Sequence, residues 1–364
     1  MTKRILCIVS CMDTGGAETF LMKIYRQLDR TRYQMDFCVQ KKENFYAPEI
    51  QRLGGKLHYK TSIPLLSLWQ QYQLVKKEKY QYVMCLSEYS SGSLDLLVAK
   101  WGGAKQLIMR STNSYSNYKM RIFVNKLFRS LANSICTVKI APSAIAAQFT
   151  FGNTQNVHLL PNGLNTEQFT FSNQTRTQLR KDLKATDKLV IGHIGRFDPQ
   201  KNHTFLLKIF AEIKKLHPQA VLWLLGKGKL ETAIKKQASQ LGILDSILFL
   251  GIRSDIPALL SAMDVFIFPS IFEGMPNAVI EAQTTGLPCL ISNTITPHVR
   301  QTDLVHFMGL DEPVVQWAKK VLQSATKQSA TARPQAALQM KQAGYDMQDV
   351  TQQFLRFVFP GELC

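Results

Sequence analysis

Short apolar runs alternate with amphipathic segments along most of this chain. Ile5–Ser10 is an apolar run of strand length, and Ala17–Leu28 then repeats apolar residues at positions 20, 24 and 28. Apolar residues three to four positions apart predict a helix, whereas a short continuous run predicts a buried strand. The alternation predicts further strands at 35–39, 56–59, 82–86, 106–109, 135–141, 157–160, 188–193, 220–225, 247–250, 265–269 and 289–292, with helices at 48–53, 66–79, 93–101, 115–131, 203–216, 276–286, 314–322 and 349–359. This order predicts an α/β fold whose parallel sheets are covered by helices on both faces.

Two domains are expected from the length and from one strong turn signal. The chain has 364 residues, and Pro161-Asn162-Gly163 follows the last strand predicted in its first half. The strand–helix pattern starts again at Lys188. We therefore predict an N-terminal domain over 1–165, a linker over 166–187, a C-terminal domain over 188–345 and a final helical segment over 346–364.

The charge is strongly positive and unevenly distributed. The chain carries 44 basic and 26 acidic residues, a net charge of +18; the first 165 residues hold 22 basic and 9 acidic ones, a net +13. No acidic residue occurs between Asp95 and Glu167. This balance favours anionic partners, and the first half of the chain is where we expect them.

Cysteine spacing and the N-terminal sequence give indications of the cellular compartment. The seven cysteines are scattered without a C-x-x-C pair, which favours a reducing compartment and no structural zinc. Ile5–Ser10 is too short for the apolar part of a signal peptide, so a first buried strand is expected. No apolar run is long enough to span a bilayer.

The segment Phe272–Glu281 carries the strongest indication of chemistry. It follows the predicted strand 265–269 and enters a helix near Pro276, where the missing N–H of proline costs nothing. Glu273 precedes that helix and Glu281 lies inside it, about 10 Å further along the axis at 1.5 Å per residue. The free N–H groups of a helix start favour an anion between the two carboxylates. Taken alone, the two glutamates are more typical of an ordinary surface helix, but a strand-to-helix switch in an α/β fold is where ligands usually bind.

The same segment resembles the E-G-x-P-N-x-x-x-E signature of the retaining GT-B glycosyltransferases of family GT4. The resemblance implies a GT-B fold, in which two Rossmann-like domains face a central cleft and the last helix returns to the first domain. It also implies that Glu273 contacts the donor sugar and that Glu281 binds the ribose. The backbone that would contact the donor diphosphate is Gly274, Met275, Pro276, Asn277 and Ala278.

Upstream motifs occur in the order that this family has. Gly195-Arg196 and Lys201-Asn202 follow the predicted strand 188–193 and resemble the G-R-x-x-x-x-K-N element, whose cations grip the donor diphosphate. Gly226 begins a G-x-G that resembles the family's nucleotide pocket. Arg253 follows strand 247–250, where the family's loop meets the nucleobase. Each motif alone could be a set of solvent-exposed charges on the surface. Two motifs in the order that the family has favour the resemblance.

The first half carries weaker motifs. Gly15-Gly16 lies between a strand and a helix and resembles the family's G-G-A-E loop, although a plain tight turn is the alternative. Arg110 and Asn113 follow strand 106–109, where related enzymes often have an H-S-H-N-like run. Arg110 stands in place of the first histidine and is a candidate partner for an anionic acceptor; a surface arginine and a turn asparagine are the alternative.

The implied reaction transfers a sugar from a nucleotide diphosphate-sugar to a hydroxyl of a glycan, with retention at the anomeric carbon. The expected donor is a UDP-sugar. Glu273, Arg196 and Lys201 are the expected catalytic residues. No D-x-D motif occurs, so neither a metal nor another cofactor is expected, and the cations take the metal's place. The expected acceptor is a glycan, free or linked to polyprenyl diphosphate, in surface polysaccharide synthesis.

Tyr115–Leu131 predicts a cationic amphipathic helix. Its apolar residues recur at helical spacing, and Lys119, Arg121, Lys126 and Arg129 accompany them. Such a helix can lie on an anionic membrane, and a core-facing helix is the alternative. We expect a cytoplasmic protein at the inner face of the cell membrane. Nucleic acid is the rival anionic partner, but no nucleic-acid-binding motif is visible, so none is expected.

Two other functions agree with parts of the sequence. A GT-B-like nucleotide-sugar epimerase shares the fold and the donor pocket, and it would convert the donor without an acceptor. A basic protein that binds anionic lipid or nucleic acid without catalysis would explain the charge alone. Salt-dependent binding to lipid or nucleic acid, without protection by nucleotide-sugars, would support the binding protein.

Overall fold

A computed structural model describes residues 2–13, 15–115, 118–326 and 333–361. The chain divides into two compact units: Met1–Leu164 together with Asp346–Cys364, and Asn165–Tyr345. The chain therefore leaves the first unit at Leu164 and re-enters it at Asp346.

The described part of the first unit is built on a seven-stranded sheet. Its strands are β1 (Lys3–Ile8), β2 (Tyr33–Val39), β3 (Leu57–Tyr59), β4 (Tyr82–Ser87), β5 (Gln106–Ser111), β6 (Val138–Ala141) and β7 (His158–Leu159). They pair in the order β3-β2-β1-β4-β5-β6-β7, and every pair is parallel. The order reverses between β1 and β4, so this sheet has its topological switch point there.

Helices cover both faces of this sheet. They are α1 (Gly16–Gln27), α2 (Ala47–Arg52), α3 (Pro64–Glu78), α4 (Ser93–Trp101), α5 (Lys119–Ile135) and α6 (Ala144–Phe151). Phe20 of α1 and Ile50 of α2 pack in one buried core. Val75 of α3, Leu96 of α4 and Ala132 of α5 pack in the core on the opposite face.

The described part of the second unit has a six-stranded parallel sheet. Its strands are β8 (Leu189–Ile194), β9 (Ala220–Leu225), β10 (Ile247–Gly251), β11 (Val265–Phe268), β12 (Cys289–Ser292) and β13 (Val305–Met308), in the order β10-β9-β8-β11-β12-β13. Its helices are α7 (Asn173–Asp182), α8 (His203–Leu216), α9 (Glu231–Gln240), α10 (Ile256–Ala262), α11 (Asn277–Thr284), α12 (Val314–Thr326) and α13 (Gln335–Gln342). Here the switch point lies between β8 and β11.

The last helix, α14 (Met347–Val358), belongs to the first unit. The Met347 N–H donates to Leu164 O at 2.8 Å, and Val350, Phe354 and Val358 enter the core that contains α1. The burial of these three side chains on one face explains why the helix folds against the sheet rather than standing free.

An arginine cluster fixes α7, which lies in the segment predicted as a linker, to the second unit. Arg176 and Arg180 of α7 both donate to the carboxylate of Asp264, the residue just before β11. The same carboxylate accepts from the Val190 N–H of β8 at 2.7 Å. Arg333 contributes a third guanidinium, which donates to Met263 O at 3.0 Å. These contacts join α7 to the strands at the centre of the sheet.

Some element boundaries differ from the sequence prediction. The strand predicted from Ile135 was wrong at its start, because α5 continues to Ile135 and β6 begins only at Val138. Helices α6, α9, α10 and α13 and strand β13 were not predicted. In α9 only Ile234 and Ala238 are buried, so the periodic apolar signal that reveals longer helices is almost absent.

Candidate active site

The switch point of the second unit brings together two predicted site residues. Lys201 lies in the loop that follows β8, and Glu273 lies in the loop that follows β11, the neighbouring strand. Because both strands are parallel, both loops lie at the carboxyl edge of the sheet. In open α/β sheets, ligands bind in the crevice at this point of the edge.

Lys201 and Glu273 form a largely buried ion pair. Lys201 Nζ lies 2.5 Å from Glu273 Oε1, and the two side chains are only 15% and 12% exposed. Lys201 Nζ also lies 4.6 Å from the ring centroid of Phe268, a distance at which the ammonium is attracted to the face of the ring. The pair is accessible enough to meet a ligand and buried enough for its charges to act strongly.

Hydrogen bonds hold the loop of Lys201 and the loop of Glu273 together. The Ile271 N–H donates to Gln200 O at 2.8 Å, and Gln200 Nε2 donates to Phe272 O at 3.0 Å. The Asp198 side chain accepts from the Lys201 N–H at 3.3 Å and so fixes the turn that carries Lys201. The relative position of Lys201 and Glu273 is therefore set by the fold before any ligand binds.

Gly195 and Gly226 let three loops approach closely. The Gly226 N–H donates to Gly251 O at 2.8 Å, and the Gly195 N–H donates to Leu225 O at 2.9 Å. Gly226 has a φ of +132°, and a Cβ there would lie 2.1 Å from Gly195 O. A side chain at position 226 would therefore separate the loops that follow β8, β9 and β10.

The start of α11 lies directly after Glu273. The helix begins at Asn277, and its N-cap is Pro276, whose side chain makes no capping hydrogen bond. The first N–H groups of a helix have no acceptor in a preceding turn, so a helix start such as this one favours an anion. Glu281 lies one turn into the helix and is half-buried. Gly274 and Met275 connect Glu273 to this start, and Met275 Sδ lies 4.0 Å from Tyr345 Oη.

Two predicted cations pair with carboxylates of their own loops. Arg196 is 79% exposed, with Nη2 at 3.3 Å from Asp198 Oδ2. Arg253 donates to both carboxylate oxygens of Asp255, at 2.8 and 2.6 Å. Both arginines lie in loops at the carboxyl edge of the sheet, and their contact with a donor stays a prediction.

In the first unit, Gly15 and Gly16 lie at the switch point of that sheet. Gly16 is the first residue of α1, and a Cβ on Gly15 would lie 2.2 Å from Glu18 Oε2. Burial raises the pKa of the Glu18 carboxyl above its usual value. The Glu18 carboxylate therefore folds back against Gly15.

Arg110 is buried rather than presented to solvent. Its side chain is 1% exposed, its guanidinium lies 3.6 Å from the ring centroid of Phe20, and Nη2 donates to Asn162 Oδ1 at 2.7 Å. Burial lowers the pKa of Arg110 to about 9. In this arrangement Arg110 braces α1 against the turn at Asn162, and its predicted contact with an acceptor stays untested.

Asn113 forms a local turn at the end of β5. Its Oδ1 accepts from the Ser114 N–H at 2.9 Å, and its carbonyl accepts from Ser111 Oγ at 3.1 Å. The side-chain oxygen therefore shapes the loop, and a role in binding an acceptor stays a prediction.

Sequence reasoning missed a pair of buried histidines behind Lys201. His193 of β8 and His203 of α8 have ring centroids 4.8 Å apart. His193 Nδ1 donates to Ile267 O at 2.8 Å, which leaves Nε2 as the unprotonated nitrogen. Neither His193 Nε2 nor either ring nitrogen of His203 has a hydrogen-bond partner among the described residues. The sequence offered one sign of this pair, namely that His193 interrupts an otherwise apolar strand.

The histidine pair predicts a loss of stability in mild acid. Burial lowers the pKa of His203 to about 4 and lowers the pKa of His193 well below its usual value. The charge of Lys201 lowers both pKa values further, whereas the carboxylate of Asp198 raises the pKa of His203. The unfolded chain therefore binds protons below pH 6.5 that the folded chain does not, so the free energy of unfolding falls as the pH drops from 6.5 towards 4. The slope is at most about 1.4 kcal/mol per pH unit for each histidine.

Urea unfolding of the second unit, followed by the fluorescence of its buried Trp223 and Trp317, checks this expectation. His203→Gln should flatten the pH dependence between pH 6.5 and 4. An unchanged slope in that variant would contradict it.

Helix α5 directs apolar side chains outward. Met120, Phe123 and Leu127 are 72%, 64% and 65% exposed, whereas Asn125 and Ala132 are buried. The alternative of an ordinary core-facing stripe is wrong for these three apolar residues. Within the described residues, no helix combines the length and the apolar content that a membrane span requires.

The fold has close structural neighbours. The crystal structure of Alr3699/HepE from Anabaena in complex with UDP superposes with a TM-score of 0.80 at 18% identity, covering 98% of this chain and 99% of that one. Two parallel α/β units with this topology define the GT-B fold, which confirms the predicted fold class.

Sequence comparison gives the family. The family model for glycosyl transferases group 1 matches residues 174–302. The putative glycosyltransferase EpsF of Bacillus subtilis (strain 168) is 35% identical over 365 residues, covering 95% of this chain and 94% of that protein. The UDP-Gal:alpha-D-GlcNAc-diphosphoundecaprenol alpha-1,3-galactosyltransferase of Escherichia coli is 31% identical over 242 residues, or 62% of this chain and 61% of that protein. The chain therefore belongs to the group 1 glycosyltransferases of the GT4 type, and it is a hexosyltransferase.

Proposed function

We propose that this enzyme transfers a sugar from a UDP-sugar to a hydroxyl of a lipid-linked glycan, with retention at the anomeric carbon. The observation that carries the proposal is the Lys201–Glu273 pair at the β8/β11 switch point, next to the start of α11. The printed name of the Escherichia coli relative, which gives a UDP-linked donor and a diphosphoundecaprenol acceptor, supports the donor and acceptor class.

The cations of the second unit would stabilise the departing diphosphate. A lysine ammonium has three N–H donors, so Lys201 can keep its bond to Glu273 and still offer two to phosphate oxygens. Arg196 in the same loop and the N–H groups of Asn277 and Ala278 add positive potential. Charge that develops on a leaving group is stabilised most by donors already fixed in place.

The carboxylates would hold the two ends of the donor. Glu273 Oε1 is bonded to Lys201, so we assign Glu273 to the sugar hydroxyls as an orienting group rather than as a covalent nucleophile. Glu281, one turn into α11, would accept hydrogen bonds from the ribose. Attack by the acceptor on the face that the leaving group vacates would then retain the anomeric configuration.

We also propose that the reaction needs no metal ion. The positive groups that face the diphosphate in this scheme, Lys201, Arg196 and the α11 start, supply the charge that a metal would otherwise supply. Activity that survives excess EDTA is the expected result, and its loss with recovery on adding Mg²⁺ or Mn²⁺ would overturn this part.

We propose that the enzyme works at the inner face of the cell membrane, in surface polysaccharide synthesis. A polyprenyl-linked acceptor lies in the bilayer, and the exposed stripe of α5 is flanked by Lys119, Arg121 and Lys126. An outward apolar stripe with flanking cations suits an anionic membrane surface.

Ligand-dependent stability tests the donor assignment. The full chain is heated with a panel of nucleotide-sugars, and we expect selective stabilisation by UDP-sugars, since a ligand that binds only the folded form raises Tm. The selected donor is then incubated with and without a polyprenyl-linked sugar. NMR of the product should show a new glycosidic bond with the donor's anomeric configuration, whereas a new epimer without acceptor would identify an epimerase. A panel without any stabilising nucleotide-sugar would overturn the proposal.

A further inference from the structure

The start of α3 carries a second exposed apolar surface on the first unit. Ile63, Leu65, Leu66 and Trp69 are all exposed, Leu65 at 82% and Trp69 at 58%. Leu65 and Leu66 lie four and three positions before Trp69, so the three side chains share one patch of helix surface. We name Ile63, Leu65, Leu66 and Trp69 the α3 patch, and Met120, Phe123 and Leu127 the α5 patch.

The two patches lie at the same edge of the first unit. Helices α3, α4 and α5 adjoin in that order on one face of the sheet, and each follows a parallel strand. Each helix therefore begins at the carboxyl edge of the sheet, and both patches lie towards those beginnings. Neighbouring helix axes are about 8–10 Å apart, which places the two patches roughly 20 Å from each other.

We propose that the α3 patch is a second membrane anchor, so that the first unit lies on an anionic bilayer through both patches at once. This inference rests on the proposed function, and it fixes which edge of the unit faces the lipid. Tryptophan is favoured at the boundary between headgroups and acyl chains, and leucine beside it enters the acyl region. Two separated anchors would hold the carboxyl edge of the sheet towards the membrane, where a lipid-linked acceptor is found.

Charge favours a bilayer over a second copy of the chain. The α5 patch is bordered by Lys119, Arg121 and Lys126, and no acidic residue occurs between Asp95 and Glu167. A two-fold interface would place the same surface of two copies face to face and so bring these cations together. Anionic headgroups instead match them, and the attraction weakens as salt is raised.

Tryptophan fluorescence can report each site separately. Trp101 is exposed as well, but it is the last residue of α4 and so lies at the amino edge, away from the patch. Trp223 and Trp317 are buried and give a constant background. The variant Trp101→Phe leaves Trp69 as the exposed probe of the α3 patch, and Trp69→Phe leaves Trp101 as its matched control.

The experiment adds vesicles of phosphatidylcholine and phosphatidylglycerol with brominated acyl chains to the full-length variants. We expect the emission of Trp101→Phe to shift to shorter wavelength and to be quenched, and that of Trp69→Phe to stay unchanged. In sedimentation with the same vesicles, Leu65→Glu and Phe123→Glu should each weaken binding roughly tenfold, because each removes one apolar side chain from the bilayer. Leu216→Glu, at an exposed position of the second unit, should bind as the wild type does.

The outcomes separate this inference from the proposed function. Quenching of Trp101 rather than Trp69, or full binding by Leu65→Glu, would overturn the second anchor while leaving donor binding and sugar transfer untouched. Equal binding to neutral vesicles would also overturn it, as would a concentration-dependent dimer in analytical ultracentrifugation that Leu65→Glu abolishes. The thermal unfolding transition of each variant without ligand, compared with that of the wild type, shows whether both units are folded.

Discussion

Replacing Lys201 by methionine is expected to lower kcat/KM for the selected nucleotide-sugar by about 10²–10³-fold, the cost of losing one fixed donor to a developing anion. The ammonium is held 2.5 Å from Glu273 by loops that are bonded to each other, so no other described cation can take its exact place. Steady-state kinetics with the donor and acceptor from the panel measure the loss. The donor-dependent rise in Tm should shrink as well, because Lys201 contacts the diphosphate in the bound state too.

A stability effect must be separated from this catalytic effect. Lys201→Met leaves the carboxylate of Glu273 buried without its partner, and breaking a buried pair in this way is destabilising. The double variant Lys201→Met with Glu273→Gln removes that unpaired charge. We expect the double variant to regain stability in urea and to stay inactive.

Lys208→Met serves as the control for charge. Lys208 is an exposed residue of α8 in the same unit, and its replacement should leave activity unchanged. Activity of Lys201→Met within threefold of the wild type would contradict the assignment of Lys201, whatever the stability of the variant.

The sequence was informative about this site because its residues lie in local motifs. Glu273, Pro276 and Glu281 occupy one strand-to-helix connection, so their order alone indicated a ligand edge. The contact between Lys201 and Glu273, which are 72 positions apart, could not be read from spacing. It depends on β8 and β11 being neighbours, and that order is a property of the assembled sheet.

Burial was the property that sequence reasoning handled least well. Arg110 was predicted to follow a strand and to reach the edge of the site, but it lies within β5 and is packed on Phe20 inside the first unit. The apolar residues of α5 were equally compatible with the core and with the surface. In both cases the outcome depends on which face of the element the neighbours cover, and one periodic pattern does not specify that.

Elements with strong periodicity were predicted best. Helix α8 has the predicted ends, His203 and Leu216, because a continuous apolar face and clear flanking residues define it. Helix α7 shows the opposite case, since its sequence is polar and only Arg180 is buried. Long-range ion pairs rather than an apolar face fix α7, so the sequence pattern predicted a linker there.

Replacing Asp264 by asparagine is expected to lower the free energy of unfolding of the second unit by about 3 kcal/mol, the scale for removing one partner from a buried ionic network. Its carboxylate accepts from Arg176, Arg180 and the Val190 N–H. Burial and the charge of Arg176 lower the pKa of the neighbouring Arg333 to about 9, and the Asp264 carboxylate opposes this shift. Asparagine keeps the shape but leaves the three arginines without the carboxylate that offsets them, so α7 should detach first.

Urea unfolding followed by the fluorescence of Trp223 and Trp317 measures this change in the unit to which Asp264 belongs. Asp303→Asn is the matched control, because the carboxylate of Asp303 is fully exposed in its contact with Arg300 and its loss should leave the transition unmoved. If Asp264→Asn unfolds at the wild-type urea concentration, α7 is held by its apolar contacts and not by the arginines. If instead the transition moves to lower urea concentration and proteolysis cuts first within 173–182, the carboxylate of Asp264 holds α7 on the sheet. The segment is then a structural part of the second unit rather than a connection between two units.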